Sequence, residues 1–354
     1  MASIDQSIRT QPSAAAHASS VLQVTVAGRF PIVRAGQHPL RAALEAWRVR
    51  GDATPESALN DEAVLAAQAI ATQELIEAQE AAGIDLPGDG YVPVYDEWYA
   101  WAPAVAGVRL ENAVRYLDTN TYYHRWRLVE RPRRLRPSPH LAAYKRAAAL
   151  TARPVKPCLF GPYTVWAYAW REGEGDTPAA FDALAGIWAA EVADLASAGA
   201  RWVQLDESVL LRPKHRADMP LVARAVQRIA RAVPQVNLIV HFACGFVGDL
   251  LDPLLALPVR GIGLDLTDVY REPNLAALAR WHGDKLLQAG VTNAREIRIE
   301  TPSDLRQTLA AVTAYVQPTH VLASPSTALL YLPRHAAFDK LAALVQAAHG
   351  SGEV

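Results

Sequence analysis

His241, Cys244 and Asp265 are residue types that bind metals and move protons. They fall close together in VHFACGFVGDLLDPLLALPVRGIGLDL, between Val240 and Leu266. An imidazole, a thiolate and a carboxylate are all zinc-ligand types, so the stretch raises the question of a metal site. Without a metal, His241 or Asp265 would be the general base. Further polar residues end other apolar runs: Asp206-Glu207 after ARWVQL, Asp96-Glu97 after GYVPVY, Gly161-Pro162 after VKPCLF, and Gly290 and Ser324 after two later runs. Each has a plain structural reading. Ser208 suits a helix cap, a lone His commonly bonds a carbonyl, and Gly-Pro makes a tight turn. The set as a whole is harder to assign that way, because charge at the ends of apolar strands is costly unless it is paired or in use.

The elements that must position these residues alternate along the chain. VLQVTVAGRF (21–30) has the composition of a strand, and 57–83 has helical periodicity ending at Gly83. VKPCLFGP, ARWVQLDE, VNLIVHFACG, VRGIGLDLTD, DKLLQAG and PTHVLASPS are brief apolar runs separated by helical segments such as TPAAFDALAGIWAAEVADLASAG and PSDLRQTLAAVTAYV. Strand and helix alternating about eight times predict an α/β fold with a parallel sheet, a (β/α)8 TIM barrel rather than an open sheet. In a barrel the site lies at the C-terminal strand ends, where these polar residues fall. Residues 100–152 fit the repeat poorly. They hold RYLDTNTYYHRWRLVERPRRLRPSP, an inserted aromatic and basic excursion. No GxGxxG follows the first strand and no GxSxG is present, which argues against dinucleotide binding and a serine elbow.

Bulk properties narrow the class. With 354 residues, 51% of them hydrophobic, the chain has material for a single large domain, drawn as a tail over 1–20 and a barrel over 21–349. A net charge of −1 gives no basic excess for nucleic acid or an anionic membrane surface. Two distant cysteines predict no disulfide framework and a reducing, cytoplasmic setting. The first residues are small and polar, without the apolar core of a signal peptide, and no apolar run has the length of a membrane helix.

At the quoted motifs the sequence resembles the cobalamin-independent methionine synthases. RYLDTNTYYHRW is similar to the family's FDTNYHY segment, KPCLFGPYTVWAYAW to its GPVT strand and helix, and WVQLDESVL to its QIDEPAL signature. ALPVRGIGLDL, KLLQAGVTNAREIR and LASPSTALLYLP resemble later strands in the same order. That family has two related barrels. This chain has the length of one and is more similar to the N-terminal barrel, including GRFPIVRAGQHPLRAALEAW at its start. The resemblance implies methyl transfer from a methyl-folate, or a corrinoid, to a thiol such as homocysteine, with Arg34 and Arg41 near positions associated with the folate tail. It implies that Asp206 pairs with the substrate ammonium, with Glu207 behind it and Asp96 or Glu97 as a further carboxylate; Gly161 and Ser324 complete the substrate-binding set. The family's zinc is held by His-x-Cys, Glu and a late Cys. Alignment on the strands keeps His241, replaces Glu by Asp265, and leaves Ala243 and Thr327 at the Cys positions. A bulge that turned Cys244 inward would restore a set of His241, Cys244 and Asp265. Two other readings stay open: a non-catalytic folate-binding barrel serving a partner methyltransferase, and an enzyme like uroporphyrinogen decarboxylase, whose relatives carry an HxCG similar to HFACG. One barrel of a two-barrel family also implies a dimer or a partner protein.

Overall fold

The computed structural model describes residues 22–31, 38–93, 96–117 and 119–350, so the predicted tail over 1–20 lies outside the described residues. Among the described residues ten strands follow the chain in order. They are β1 (Gln23–Val24), β2 (Val105–Arg115), β3 (Tyr122–Arg134), β4 (Cys158–Phe160), β5 (Trp170–Arg171), β6 (Trp202–Asp206), β7 (Asn237–Phe242), β8 (Gly261–Asp265), β9 (Leu286–Thr292) and β10 (Val321–Pro325). Seven of them form one curled sheet in the order β1-β10-β9-β8-β7-β6-β4. Every pair in it is parallel. From β6 to β10 each strand lies beside the one before it, as expected when helical crossovers return the chain to the same end of the sheet. Between the edge strands β1 and β4 runs the segment 86–88. It makes isolated parallel bridges on both sides, Thr25 to Leu86 and Gly88 to Lys156.

The crossover helices begin where their sequences say they should. Thr177 accepts the Ala180 N–H ahead of the helix Pro178–Ser197, and Thr301 accepts the Asp304 N–H ahead of Pro302–Thr313. In both, proline occupies the first turn, where its missing N–H costs nothing. The helix read over 57–83 is Glu62–Ala81, capped by Asp61, with a separate turn at Pro55–Ala58.

The 100–152 excursion is largely a β-ribbon. β2 and β3 pair antiparallel from Val105 opposite Arg134 to Arg115 opposite Tyr122, with two register shifts, and β5 joins β3 in parallel. Such irregularities bend a ribbon. This one ends at Tyr116 and Tyr123, both buried.

The interior of the curled sheet holds an unexpected charge. Lys156 is fully buried. Its Nζ donates to Val26 O at 2.7 Å, to Gln204 Oε1 at 2.6 Å and to Gln288 Oε1 at 2.8 Å. Three ammonium protons thus meet three uncharged acceptors.

Candidate active site

The pairing register sets the site. Phe160 pairs with Asp206 and Asp206 with His241, so the ends of β4, β6 and β7 stand level. Partners in a parallel pair point to the same face, which brings Asp206 Oδ2 to 3.8 Å from His241 Nδ1, just outside hydrogen-bond range. Asp206 Oδ1 accepts the Ser208 N–H at 3.0 Å, the Ser208 hydroxyl, and the Tyr116 hydroxyl at 3.2 Å. Burial alone would raise the Asp206 carboxyl; the His241 ring and the Ser208 donors outweigh it and hold the group below the usual carboxylate range. His241 is fully buried, and among the described residues neither ring nitrogen has a hydrogen-bond partner. Gly263, its partner on β8, makes room for the ring: a Cβ there would lie 2.3 Å from His241 Cδ2.

Of these groups Asp206 and Tyr116 line a narrow cavity of about 30 Å³ at the strand ends, and His241 lies behind Asp206. Arg29, Glu97, Tyr116, Tyr123, Asp206 and Tyr331 are among its walls. Arg29 bonds the Tyr123 hydroxyl, lies over the Tyr123 ring at 5.1 Å and sits 3.9 Å from Glu97. The β-ribbon therefore supplies two of the phenols. Sequence reading missed Arg29, although it closes the first apolar run and the strand-end rule would have selected it. It also missed the two tyrosines, although RYLDTNTYYHRW carried part of the resemblance.

Other predicted residues have defined partners. Glu207 is buried; Oε1 accepts the Tyr163 N–H at 3.0 Å, and Oε2 accepts the Thr164 N–H at 2.7 Å and the Thr164 hydroxyl at 2.8 Å. It therefore caps the helix Pro162–Tyr168, and burial pushes its carboxyl up to about 8. Gly161 is needed beside it, since a Cβ there would lie 2.1 Å from Glu207 Cδ. Asp96 caps the helix Glu97–Trp101 through the Tyr99 N–H and accepts His124 Nδ1 at 2.6 Å. Glu97 accepts the Phe160 N–H at 3.1 Å and lies 3.2 Å from His140 Nε2. Ser324 is buried and its hydroxyl donates to Pro325 O. Arg41 is exposed and pairs with Glu45 on its own helix; Arg34 lies outside the described residues.

Two members of the predicted metal set, Cys244 and Asp265, are already bridged by Arg295. Cys244 has φ 54°, a left-handed conformation unusual for a residue with a Cβ. The turn aims its N–H at Asp265 Oδ2 (3.0 Å) and sets its Sγ 2.9 Å from Arg295 Nη1. The same Nη1 donates to Asp265 Oδ2 at 2.7 Å, while Asp265 Oδ1 accepts the N–H and hydroxyl of Thr267. Burial pushes the Cys244 thiol up to about 11. A zinc ligand set needs a thiolate and an empty centre. Here the thiol is held protonated and a guanidinium joins the sulfur to the carboxylate. Among the described residues no group of three His, Cys, Asp or Glu is placed to hold a metal. The residues present do not fit zinc, and the expectation of a His241, Cys244 and Asp265 site is not supported. Arg295 lies in KLLQAGVTNAREIR, and its charge after an apolar strand was the signal for it.

Among the described residues no helix is long and apolar enough to cross a membrane. The family profile described as "Cobalamin-independent synthase, N-terminal domain" matches residues 93–317. The methionine synthase of Sulfurisphaera tokodaii is 27% identical over 290 residues, covering 81% of this chain and 83% of its own length. The 5-methyltetrahydropteroyltriglutamate–homocysteine methyltransferase of Rhodopseudomonas palustris is 30% identical over 230 residues, covering 64% of this chain. The chain spans 29% of that longer protein's length, and 24% of the Streptomyces coelicolor protein of the same description. In fold it is similar to a B12-independent methionine synthase from Shewanella sp. W3-18-1, solved with selenomethionine. The TM-score is 0.75 at 18% identity, over 93% of this chain and 97% of the other. By its matched residues and its fold, the chain belongs to the cobalamin-independent methionine synthase family, through that family's N-terminal domain.

Proposed function

We propose that the chain is a methyltransferase of the methionine synthase kind, moving a methyl group from a methyl-folate to the thiol of an amino-acid acceptor such as homocysteine. We also propose that 21–349 is one barrel domain in which the segment 86–88 acts as the eighth stave.

The observation that carries the reading is Asp206, a carboxylate favoured in its ionised form at the cavity wall beside His241. An ionised carboxylate with restricted access to water is a good partner for an ammonium group. The Tyr116 hydroxyl on Oδ1 marks the direction from which such a donor approaches. His241, with both ring nitrogens unpartnered, takes the thiol proton. The sulfur then attacks the methyl carbon, the N–CH3 bond of the donor breaks, and its electron pair stays on the pterin nitrogen, which receives the proton that His241 took from the thiol. Asp265 has its oxygens occupied by Arg295, Cys244 and Thr267, so in this scheme the base is His241.

The test uses the full chain with methyl-labelled methyltetrahydropteroyltriglutamate and homocysteine, and follows labelled methionine by mass spectrometry. Transfer is expected, with homocysteine affinity reduced about 10–100-fold in Asp206→Asn. A second reading, a binding barrel without turnover, is favoured by the guanidinium that bridges Cys244 and Asp265. Folate binding by calorimetry with no labelled product would select it over the enzyme. Absence of both binding and transfer would overturn both.

A further inference from the structure

A second cavity lies to one side of the strand ends, between the start of the helix Pro139–Ala148 and the helix Glu62–Ala81, with a volume of about 320 Å³. Its walls are mainly aliphatic, Leu59, Leu65 and Leu141 among them, and Arg136, Lys145 and Arg146 bring three cationic side chains to it. Arg136 is paired at the rim with Glu56 at 3.0 Å. Among the described residues that line it, two buried polar atoms have no hydrogen-bond partner; Asp89 Oδ2, behind Tyr91, is a third such atom outside the lining. The Tyr91 hydroxyl belongs to a residue only 3% exposed, and Arg146 Nε is likewise buried without a hydrogen bond. Buried donors without acceptors are rare, and each calls for a water, an ion or a ligand. Both belong to residues that line this cavity. Asp89 does not line it; its Oδ1 accepts the Tyr91 N–H, and burial pushes its carboxyl up to about 6.

We propose that this cavity is a binding site for a small organic carboxylate with an apolar body. The carboxylate accepts from Arg146 and the Tyr91 hydroxyl, and the body rests on the leucines. Apolar walls with a few converging polar groups are the usual make-up of a small-molecule site. The missing partner is an acceptor, because a guanidinium Nε–H can only donate and a phenol bonds an anion as donor. The site is distinct from the barrel mouth and is linked to it through His140. The Tyr91 ring lies 4.3 Å from that of His140, and His140 Nε2 lies 3.2 Å from Glu97, which lines the mouth cavity.

The probes are 4-phenylbutanoate and its neutral isostere 4-phenylbutanamide, titrated calorimetrically into the full chain at low salt. The carboxylate is expected to bind at least tenfold more tightly than the amide. Arg146→Gln should weaken it about tenfold, Tyr91→Phe should weaken it severalfold, and Arg146→Lys should restore part of the loss. Circular dichroism identifies any variant that fails to fold, and Tyr91→Phe, the mildest change, then carries the test. Asp206→Asn should leave this binding unchanged. No binding by the native chain, equal binding of acid and amide, indifference to Tyr91→Phe and Arg146→Gln, or loss of binding in Asp206→Asn would each overturn the proposal.

Discussion

Three charged side chains show how neighbours decide what a residue can do. Asp206 stays ionised because serine donors and an imidazole surround it. Glu207, next in the chain, is drawn towards its neutral form by burial and bonded to a helix start. Asp265 has the side chain expected of a metal ligand, and its charge is met by Arg295. Removing a buried carboxylate's partner is more damaging than removing the pair. Arg295→Leu is therefore expected to destabilise the fold by about 3–5 kcal/mol in chemical denaturation. The double change Arg295→Leu with Asp265→Asn should recover part of that loss. The strand-end argument reached Asp206, His241 and Asp265 because a charge closing an apolar run is visible locally. It did not reach the Arg295 bridge, which spans 51 positions to Cys244 and exists only after β8 and β9 pair. A list of ligand types carries no information about which cation will sit between them.

Among the elements, the start of the helix Pro162–Tyr168 is the most constrained. Gly161 and Glu207 occupy adjoining space, and neither can change alone. Gly161→Ala is expected to cost about 1–3 kcal/mol through overpacking. In a double-mutant cycle with Glu207→Ala the loss in the double mutant should be smaller than the sum of the two single losses, because the shortened side chain leaves room for the new methyl group. Denaturant midpoints of the four proteins check this. The alternating strands and helices of the sheet were legible from periodicity. The β-ribbon was not. Its residues 100–152 were seen only as a departure from the repeat, since a bulged strand crowded with arginine lacks the simple alternation that identifies one. Its two phenols reach the mouth cavity through tertiary contacts that no local pattern records.

At the scale of the whole molecule the feature with the clearest pH signature is Lys156, whose ammonium burial pulls down to about 8 from 10.5. Below about pH 8 the folded and unfolded chains both hold the proton, and the folded state carries the full cost of the buried charge. Between that value and 10.5 the folded chain releases the proton while the unfolded chain keeps it, so stability rises with pH across this window. The full gain across the window is on the order of 3 kcal/mol. The half-buried thiol of Cys158 and the buried thiol of Cys244, pushed up to about 12 and about 11, act in the opposite sense at alkaline pH. The quantity to measure is therefore the difference between the native chain and Lys156→Met, from urea denaturation at pH 7 and pH 10. That difference should move in favour of the native chain as pH rises.

Lys156 also bears on the order of assembly. Its acceptors come from Val26, Gln204 and Gln288, so they reach it from early, middle and late parts of the chain. A nascent or truncated chain that stops short of Gln288 would enclose a cation with its coordination incomplete. Half of this sheet is thus a poor resting point, and the late strands lock the early ones. In native-state hydrogen exchange, amides of β4, β6 and β9 are expected to open together in one cooperative unit. In Lys156→Met, which needs no such acceptors, β9 should separate from the others and exchange at a lower opening free energy.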